Sequence, residues 1–236
     1  MGNPMQLQNE QAIEPRSFKA DGDLDVVDIW RTIQGEAIYA GHPAVFVRLA
    51  GCNLQCPLCD TDYTSNRKTL TPDELLDKVM LVRDREELVV ITGGEPFRQN
   101  IRPFVARLVK NMFKVQIETN GSLPPENFPV GFVQTVISPK GKVHPDWEWK
   151  PIGAYKYVVA YGEVDDDGFP ISVLGNEFSP GRPLEHHHAG GVPVYIQPRD
   201  DKDELKNLKN LETAINVCRK FNRILCLQLH KIIGLE

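Results

Sequence analysis

Apolar residues recur along this chain with two periods, one of two and one near 3.6, and they alternate from segment to segment. Val26-Val27-Asp28-Ile29-Trp30 predicts a first strand. Ala44 to Leu49 alternates and runs into Ala50-Gly51, which predicts a strand feeding a loop. Thr71-Pro72-Asp73-Glu74 predicts a helix start, with Thr71 as N-cap, Pro72 in the first turn and Glu74 closing a capping box. Leu75, Leu76, Val79 and Val82 continue it at the helical period. Leu88 to Ile91 is a short continuous apolar run and predicts a buried strand. Further on, 101–112 and 202–221 predict helices, and 114–118, 132–137, 154–160, 194–196 and 224–229 predict strands.

Strands alternating with helices imply right-handed βα units around a parallel sheet. The expected class is therefore α/β, a partial (β/α) barrel, modified and compact. Cys52, Thr92, Thr119, Ser138, Gln197 and His230 each follow the C-terminal end of a predicted strand, the edge where parallel α/β folds gather ligands. Residues 1–22 have little periodicity and read as a mobile, disordered tail, leaving one domain over 23–236. Residues 161–193 are rich in Gly, Pro and Asp and read as a surface excursion of that domain.

Composition narrows the class. The 236 residues suffice for one sizeable core, and 41% hydrophobic with 25% charged residues is ordinary for a soluble globular protein. A net charge of −5 disfavours non-specific nucleic-acid binding. No apolar run approaches the roughly eighteen residues that a spanning helix needs, and the polar start carries no secretory signal, so neither a membrane nor export is expected. Five cysteines, three of them clustered, fit a reducing, cytoplasmic setting and a metal site better than a disulfide framework.

Those three are Cys52, Cys56 and Cys59, in Cys-Asn-Leu-Gln-Cys-Pro-Leu-Cys. Soft thiolates this close suit a cluster of soft metal ions. A structural zinc or a closed iron–sulfur cluster takes four protein ligands, so a set of three leaves a metal position open. Thr92-Gly93-Gly94-Glu95-Pro96 follows the Leu88–Ile91 run. Its glycines permit close backbone approach to a ligand, and Glu95 with neighbouring carbonyls can accept from an ammonium group.

The two stretches together resemble the signatures of the radical S-adenosylmethionine (SAM) superfamily. Thr32-Ile33-Gln34-Gly35-Glu36, Phe46 to Cys52, Cys59-Asp60-Thr61-Asp62-Tyr63 and Leu227 to Gly234 are similar to the 7-carboxy-7-deazaguanine synthase family. The resemblance covers about residues 25–160 and 194–236. It implies a radical SAM lyase that converts 6-carboxy-5,6,7,8-tetrahydropterin to 7-carboxy-7-deazaguanine with loss of ammonia, on the way to queuosine-type bases. It also implies a [4Fe-4S] cluster, SAM, magnesium, a flavodoxin-like or other reductant, and a homodimer.

Carried over by position, the resemblance gives Cys52, Cys56 and Cys59 to the cluster and Thr61 to magnesium. It gives Ile33, Gln34, Gly35, Glu36, Arg48, Thr92 and His230 to the pterin. It gives Leu58, Cys59, Asp60, Gly94, Glu95, Ser138, Pro139, Lys140, Gln197 and Pro198 to SAM. The family tends to end in a proline that reaches the substrate; here the last residue is Glu236, a departure at a substrate contact.

Plainer readings stand beside these. The cysteines could form a zinc site completed by His42 or an aspartate. Arg48 alone reads as a surface charge, Gln34 and Glu36 as a solvated turn, and Thr61 as a local cap. For His230 the expected strand puts Leu225, Leu227 and Leu229 on one face under helices, and Cys226, Gln228 and His230 on an active-site wall. Cys226 and Cys218 read as core, Cys218 on a helix stripe with Leu208, Leu211 and Ile215; His186, His187 and His188 read as solvated. Two other functions compete: a radical SAM activase of a glycyl-radical enzyme, and a non-catalytic metal or electron-transfer module. The Gln34-Gly35-Glu36 stretch and His230 argue against the first, since an enzyme acting on a protein needs no sealed small-molecule pocket, and Gly93-Gly94-Glu95-Pro96 with the strand-end clusters argues against the second.

Overall fold

The computed structural model describes residues 9–129, 131–176 and 179–235. Its strands in chain order are β1 (Leu24–Ile33), β2 (Pro43–Leu49), β3 (Lys68–Leu70), β4 (Leu88–Gly93), β5 (Lys114–Thr119), β6 (Val133–Ile137), β7 (Ala154–Val159), β8 (Val194–Pro198) and β9 (Ile224–Leu225). Its helices are α1 (Pro72–Val82), α2 (Arg102–Lys110), α3 (Glu185–Ala189), α4 (Glu204–Phe221) and α5 (Leu229–Ile232). The strands form one sheet in the order β3-β1-β2-β4-β5-β6-β7-β8-β9. Pairing is parallel from β2 to β9, and β1 and β3 add antiparallel at one end. This mixed, unclosed sheet is the partial barrel that the pattern predicts. None of the described helices is long and apolar enough to cross a membrane.

Period-two alternation sorts the sheet into two faces. Val45, Val47 and Leu49 of β2, Val89 and Ile91 of β4, Val115 and Ile117 of β5, and Tyr155, Tyr157 and Val159 of β7 join one buried cluster with Leu75, Phe104, Leu108 and Ala214 of the helices. The next residues along each strand, Arg48, Thr92, Glu118, Lys156 and Gln197, therefore face the other way, into a concavity. Helices α1, α2 and α4 cover the outer face, which leaves much of the inner one open for chemistry. The expected capping box of α1 is present: Glu74 N donates to Thr71 Oγ1 at 3.2 Å and Thr71 N to Glu74 Oε2 at 2.8 Å.

Several expectations need correction. The connections β5–β6 and β6–β7 contain no α-helix, so strand–helix alternation fails mid-sheet. The strand expected over 224–229 ends at Leu225, which is exposed, and the chain turns into α5 instead. Its three leucines therefore do not share one face under helices. On α4 the buried stripe is Asn210, Ala214, Val217 and Cys218, whereas Leu208 and Ile215 face outward. Cys218 is core as expected, beside different neighbours.

From residue 9 on, the tail is not loose. Asn9 N donates to Pro57 O at 2.9 Å, Glu14 N to Cys52 O at 2.7 Å and Ser17 N to Arg98 O at 2.8 Å. The excursion is also ordered: Arg223 and Arg182 stack on Phe169 with their guanidinium carbons 3.7 and 4.1 Å from the ring centre. His187 is buried between Tyr155 Oη and Lys150 O, 2.9 Å from each, so it is a satisfied core histidine, while His186 is exposed. The side chain of His188 lies outside the described residues.

Candidate active site

The cysteine loop starts where β2 ends, and β4 is its register neighbour, with Arg48 opposite Thr92 and Leu49 opposite Gly93. Gly93 has φ +138°, and a Cβ there would strike the Leu49 backbone. A Cβ on Gly94 would strike the Gly51 carbonyl. Only glycine lets the end of β4 lie this close to the loop, where Glu95 N donates to Gly51 O at 3.0 Å.

Cys52 and Cys56 are buried and Cys59 is half-buried. Burial pushes all three thiols up, Cys52 to about 12 with the Glu95 carboxylate adding to the cost. Such thiols ionise only against strong positive charge, which a metal centre supplies. Among the described residues no three His, Cys, Asp or Glu side chains converge on a point as a single ion requires. His42 sits before β2, at the far end of that strand, with Nδ1 3.1 Å from Tyr39 O. Among the described residues the zinc reading thus has no converged ligand set, whereas thiols that each hold a different iron fit a cluster.

A cavity of about 340 Å³ lies over the concave face of the sheet. Leu58, Cys59, Asp60 and Thr61 line it beside Cys52 and Cys56. Ile33, Gln34, Glu36, Arg48, Thr92 and His230 line it as well, and so do Gly94, Ser138, Lys140 and Gln197. Gly35, Glu95, Pro139 and Pro198 do not line it. Gly35 contributes room instead, since a Cβ there would strike the His230 ring. Glu95 is fully buried and its carboxylate is spent on Thr119 Oγ1 at 2.7 Å, Asn120 N at 2.8 Å and Phe97 N at 3.0 Å. Its side chain ties the glycine turn to β5, while Gly93 and Gly94 of that turn line the cavity. Glu236 lies outside the described residues.

A polar network floors the cavity. Glu36 pairs with Lys156 Nζ and accepts from Gln228 Nε2 at 2.9 Å. Burial opposes the ionisation of Glu36, but the Lys156 ammonium outweighs it and holds the carboxyl below its usual range. Lys156 is correspondingly raised by Glu36 and Glu118 despite burial. Glu118 accepts from Gln34 Nε2 and Gln116 Nε2 at 3.0 Å and from Thr92 Oγ1 at 3.1 Å. Lys140 donates to Ser138 Oγ at 2.6 Å, and burial with the nearby Lys156 charge brings it down to about 8. Arg48 lies over the Trp30 ring at 4.8 Å, and its Nε is buried with no partner among the described residues. The Arg48 side chain lines the cavity and brings a guanidinium, a group suited to an anionic ligand, to its wall.

His230 reaches the cavity from α5, not from a strand. Cys226 is buried, with Ala37 N 3.3 Å from its sulfur. Lys156 and Glu118 are site residues absent from the sequence reading, whereas Gln228 lies at the site as the expected wall had it, though not on a strand. The signal for the two was present: a buried-strand pattern interrupted at every second place by Gln116 and Glu118, and by Lys156 between two tyrosines.

Residues 47–130 match the Radical SAM superfamily. The chain is 40% identical over 223 residues to the 7-carboxy-7-deazaguanine synthase of Rhodospirillum rubrum, covering 90% of this chain and 93% of that protein. It is 36% identical over 235 residues to the 7-carboxy-7-deazaguanine synthase of Rickettsia prowazekii, covering 94% of each. In fold it resembles the crystal structure of QueE from Escherichia coli, with a TM-score of 0.66 at 22% identity, over 87% of this chain and 94% of that one.

Proposed function

This chain belongs to the 7-carboxy-7-deazaguanine synthases of the radical SAM superfamily, and from that premise we propose how its residues divide the work. It is a radical SAM lyase that converts 6-carboxy-5,6,7,8-tetrahydropterin to 7-carboxy-7-deazaguanine with loss of ammonia, using a [4Fe-4S] cluster and SAM. The observation that carries the reading is a loop with three thiols, pressed by two glycines against a strand end and lining a polar cavity.

Cys52, Cys56 and Cys59 hold the cluster. Bound there, the cluster and SAM supply the one-electron cleavage that starts the reaction. The Gly94 backbone, Ser138, Lys140 and Gln197 line SAM, flanked by Leu58, Asp60, Pro139 and Pro198. Arg48, which lines the cavity, takes the pterin carboxylate with bidentate geometry that a lysine lacks. Glu36, kept ionised by Lys156, accepts from the amidine-like edge of the pterin, and Gln34, Thr92 and His230 complete the wall. Thr61 and the substrate carboxylate supply hard oxygens to magnesium. The Thr61 hydroxyl has only a long, 3.5 Å contact to Asp60 Oδ1, so its lone pairs are available. A flavodoxin-like or other reductant delivers the electron. A second copy of the chain covers the outward stripe of Leu205, Leu208 and Ile215 on α4, beside exposed Ile224 and Leu225 of β9.

Anaerobic reconstitution, then incubation with SAM, reductant and carboxytetrahydropterin, tests the reading. 7-Carboxy-7-deazaguanine should form, and Cys52→Ala, Cys56→Ala or Cys59→Ala should abolish iron loading while Cys218→Ala and Cys226→Ala retain it. SAM cleavage without pterin turnover would sink the substrate assignment. With Thr61→Val, magnesium should no longer stimulate turnover although the cluster still loads; equal stimulation in both proteins would move the metal elsewhere.

A further inference from the structure

Between Gly51 and Arg67 the chain has almost no regular structure, yet it must hold three thiols in fixed relation. Its internal backbone bonds are few: Cys59 N to Cys56 O at 3.1 Å and Gly51 N to Tyr63 O at 2.8 Å. Much of the remaining restraint comes from outside, from residues 9–17, which lie across the loop as a strap.

The strap reaches the neighbourhood of every cysteine. Glu14 N donates to Cys52 O at 2.7 Å, and Ile13 forms a parallel bridge with Cys52. Asn9 Nδ2 donates to Cys56 O at 3.2 Å, and Asn9 N to Pro57 O at 2.9 Å. Beyond Cys59, Gln11 Nε2 donates to Thr61 O at 2.9 Å, and Gln11 Oε1 accepts from Tyr63 N at 2.8 Å and from Thr64 Oγ1 at 3.3 Å. The other half of the strap docks on the turn after Gly93-Gly94-Glu95. Arg16 Nε donates to Phe97 O at 3.1 Å, Arg98 Nη1 to Pro15 O at 3.2 Å, and Glu14 pairs with Arg98 at 3.2 Å and with Arg67.

We infer that residues 9–17 are a cross-brace that locks the cysteine loop to the glycine turn, with Gln11 as the positioning residue for the segment after Cys59. The inference rests on the cluster assignment above but concerns residues outside both signature stretches. Gln11 suits the task because a carboxamide donates and accepts at once. Glutamate at that place keeps the bond from Tyr63 N and sets a carboxylate against the Thr61 carbonyl. Leucine keeps neither bond. The two substitutions therefore separate the two ends of the clamp. Outer partners that orient metal ligands typically govern retention by about 10–100-fold, which sets the scale expected here.

The test compares the full-length chain with Gln11→Glu and Gln11→Leu. In both variants the reconstituted cluster should be lost in air about tenfold faster, and the reduced cluster's electron paramagnetic resonance signal should broaden. Amide exchange at Tyr63 in the iron-free protein should accelerate in Gln11→Leu and stay slow in Gln11→Glu. The urea midpoint of the whole chain should hardly move, because Gln11 is not core. Cluster loss at the unaltered rate in Gln11→Leu, or unchanged Tyr63 exchange in that same variant, overturns the brace. If the unaltered chain takes up no iron, the functional assignment fails and the amide-exchange arm still decides the brace.

Discussion

Glu36 and Lys156 are opposite charges buried together at the floor of the cavity. Glu36 lies below its ordinary 4.5, so its contribution to stability is complete above that pH and is lost as pH falls through the depressed value. Lys156 lies above its ordinary 10.5, so its contribution is complete below that pH and is lost as pH rises through the raised value. The pair is therefore fully stabilising across the neutral range. Lys156→Met strands a buried carboxylate and should cost about 3–5 kcal/mol near neutrality. That loss should shrink at about pH 5, because an unpaired buried carboxyl protonates early. Urea unfolding at both pH values checks it; equal losses would mean that Glu36 is not ionised in the folded chain. Arg48→Lys keeps the charge and loses the fork, so pterin binding by calorimetry should weaken by about 1.5–3 kcal/mol while slow SAM cleavage persists. Residue chemistry alone reads Arg48 as a surface charge. Its placement over Trp30 with a buried, unpartnered Nε depends on the strand opposite, which no local pattern discloses.

At the scale of elements, the ends of β2 and β4 make the site possible, and two glycines decide how close they come. Gly94→Ala forces a methyl into the Gly51 carbonyl, so one backbone has to move. SAM affinity should fall by about 1–3 kcal/mol with the far-ultraviolet dichroism of the sheet and helices unchanged. Unaltered affinity would show that the loop has slack at this contact. Much of this was legible beforehand. Thr71 and Glu74 announced α1, and the alternation in Ala44 to Leu49 announced a strand with Arg48 on the face opposite Val47. The C-terminal stretch misled because Leu225, Leu227 and Leu229 have strand spacing. They belong to a two-residue strand, a turn and the first residue of α5, so their common period reflects no common surface. Leu208 and Ile215 misled in the same way on α4, where Asn210 takes the buried place and ties Tyr161 N, Arg199 O and Asp201 together.

At the scale of the molecule, the sheet never closes on itself, and the C-terminal segment bridges the gap. Leu229 N donates to Gly35 O at 3.1 Å, Gln228 Nε2 to Glu36 at 2.9 Å, and Ala37 N to Cys226 Sγ at 3.3 Å. Lys231 stands 3.6 Å from Asp60 after the cysteine loop and 3.1 Å from Asp200 after β8, so one ammonium spans the mouth of the cavity. The links to Gly35, Glu36 and Ala37 join residues almost two hundred positions apart, which is why no window of the sequence displays them. None of the described residues of α5 is buried, so the segment closes the cavity without belonging to the core. Removing the chain from Gln228 onward should therefore leave the sheet folded and the cysteine loop able to load iron. It should take away His230, one partner of Glu36 and the Lys231 span together. Pterin affinity should then collapse while SAM affinity falls much less, since Gly94, Ser138, Lys140 and Gln197 remain. Lys231→Ala removes the span alone and should give an intermediate loss. Calorimetry with each ligand, after iron determination on each protein, separates the outcomes. Undiminished pterin affinity in the shortened chain would place the pterin away from this seam, and loss of iron loading would make the segment part of the core.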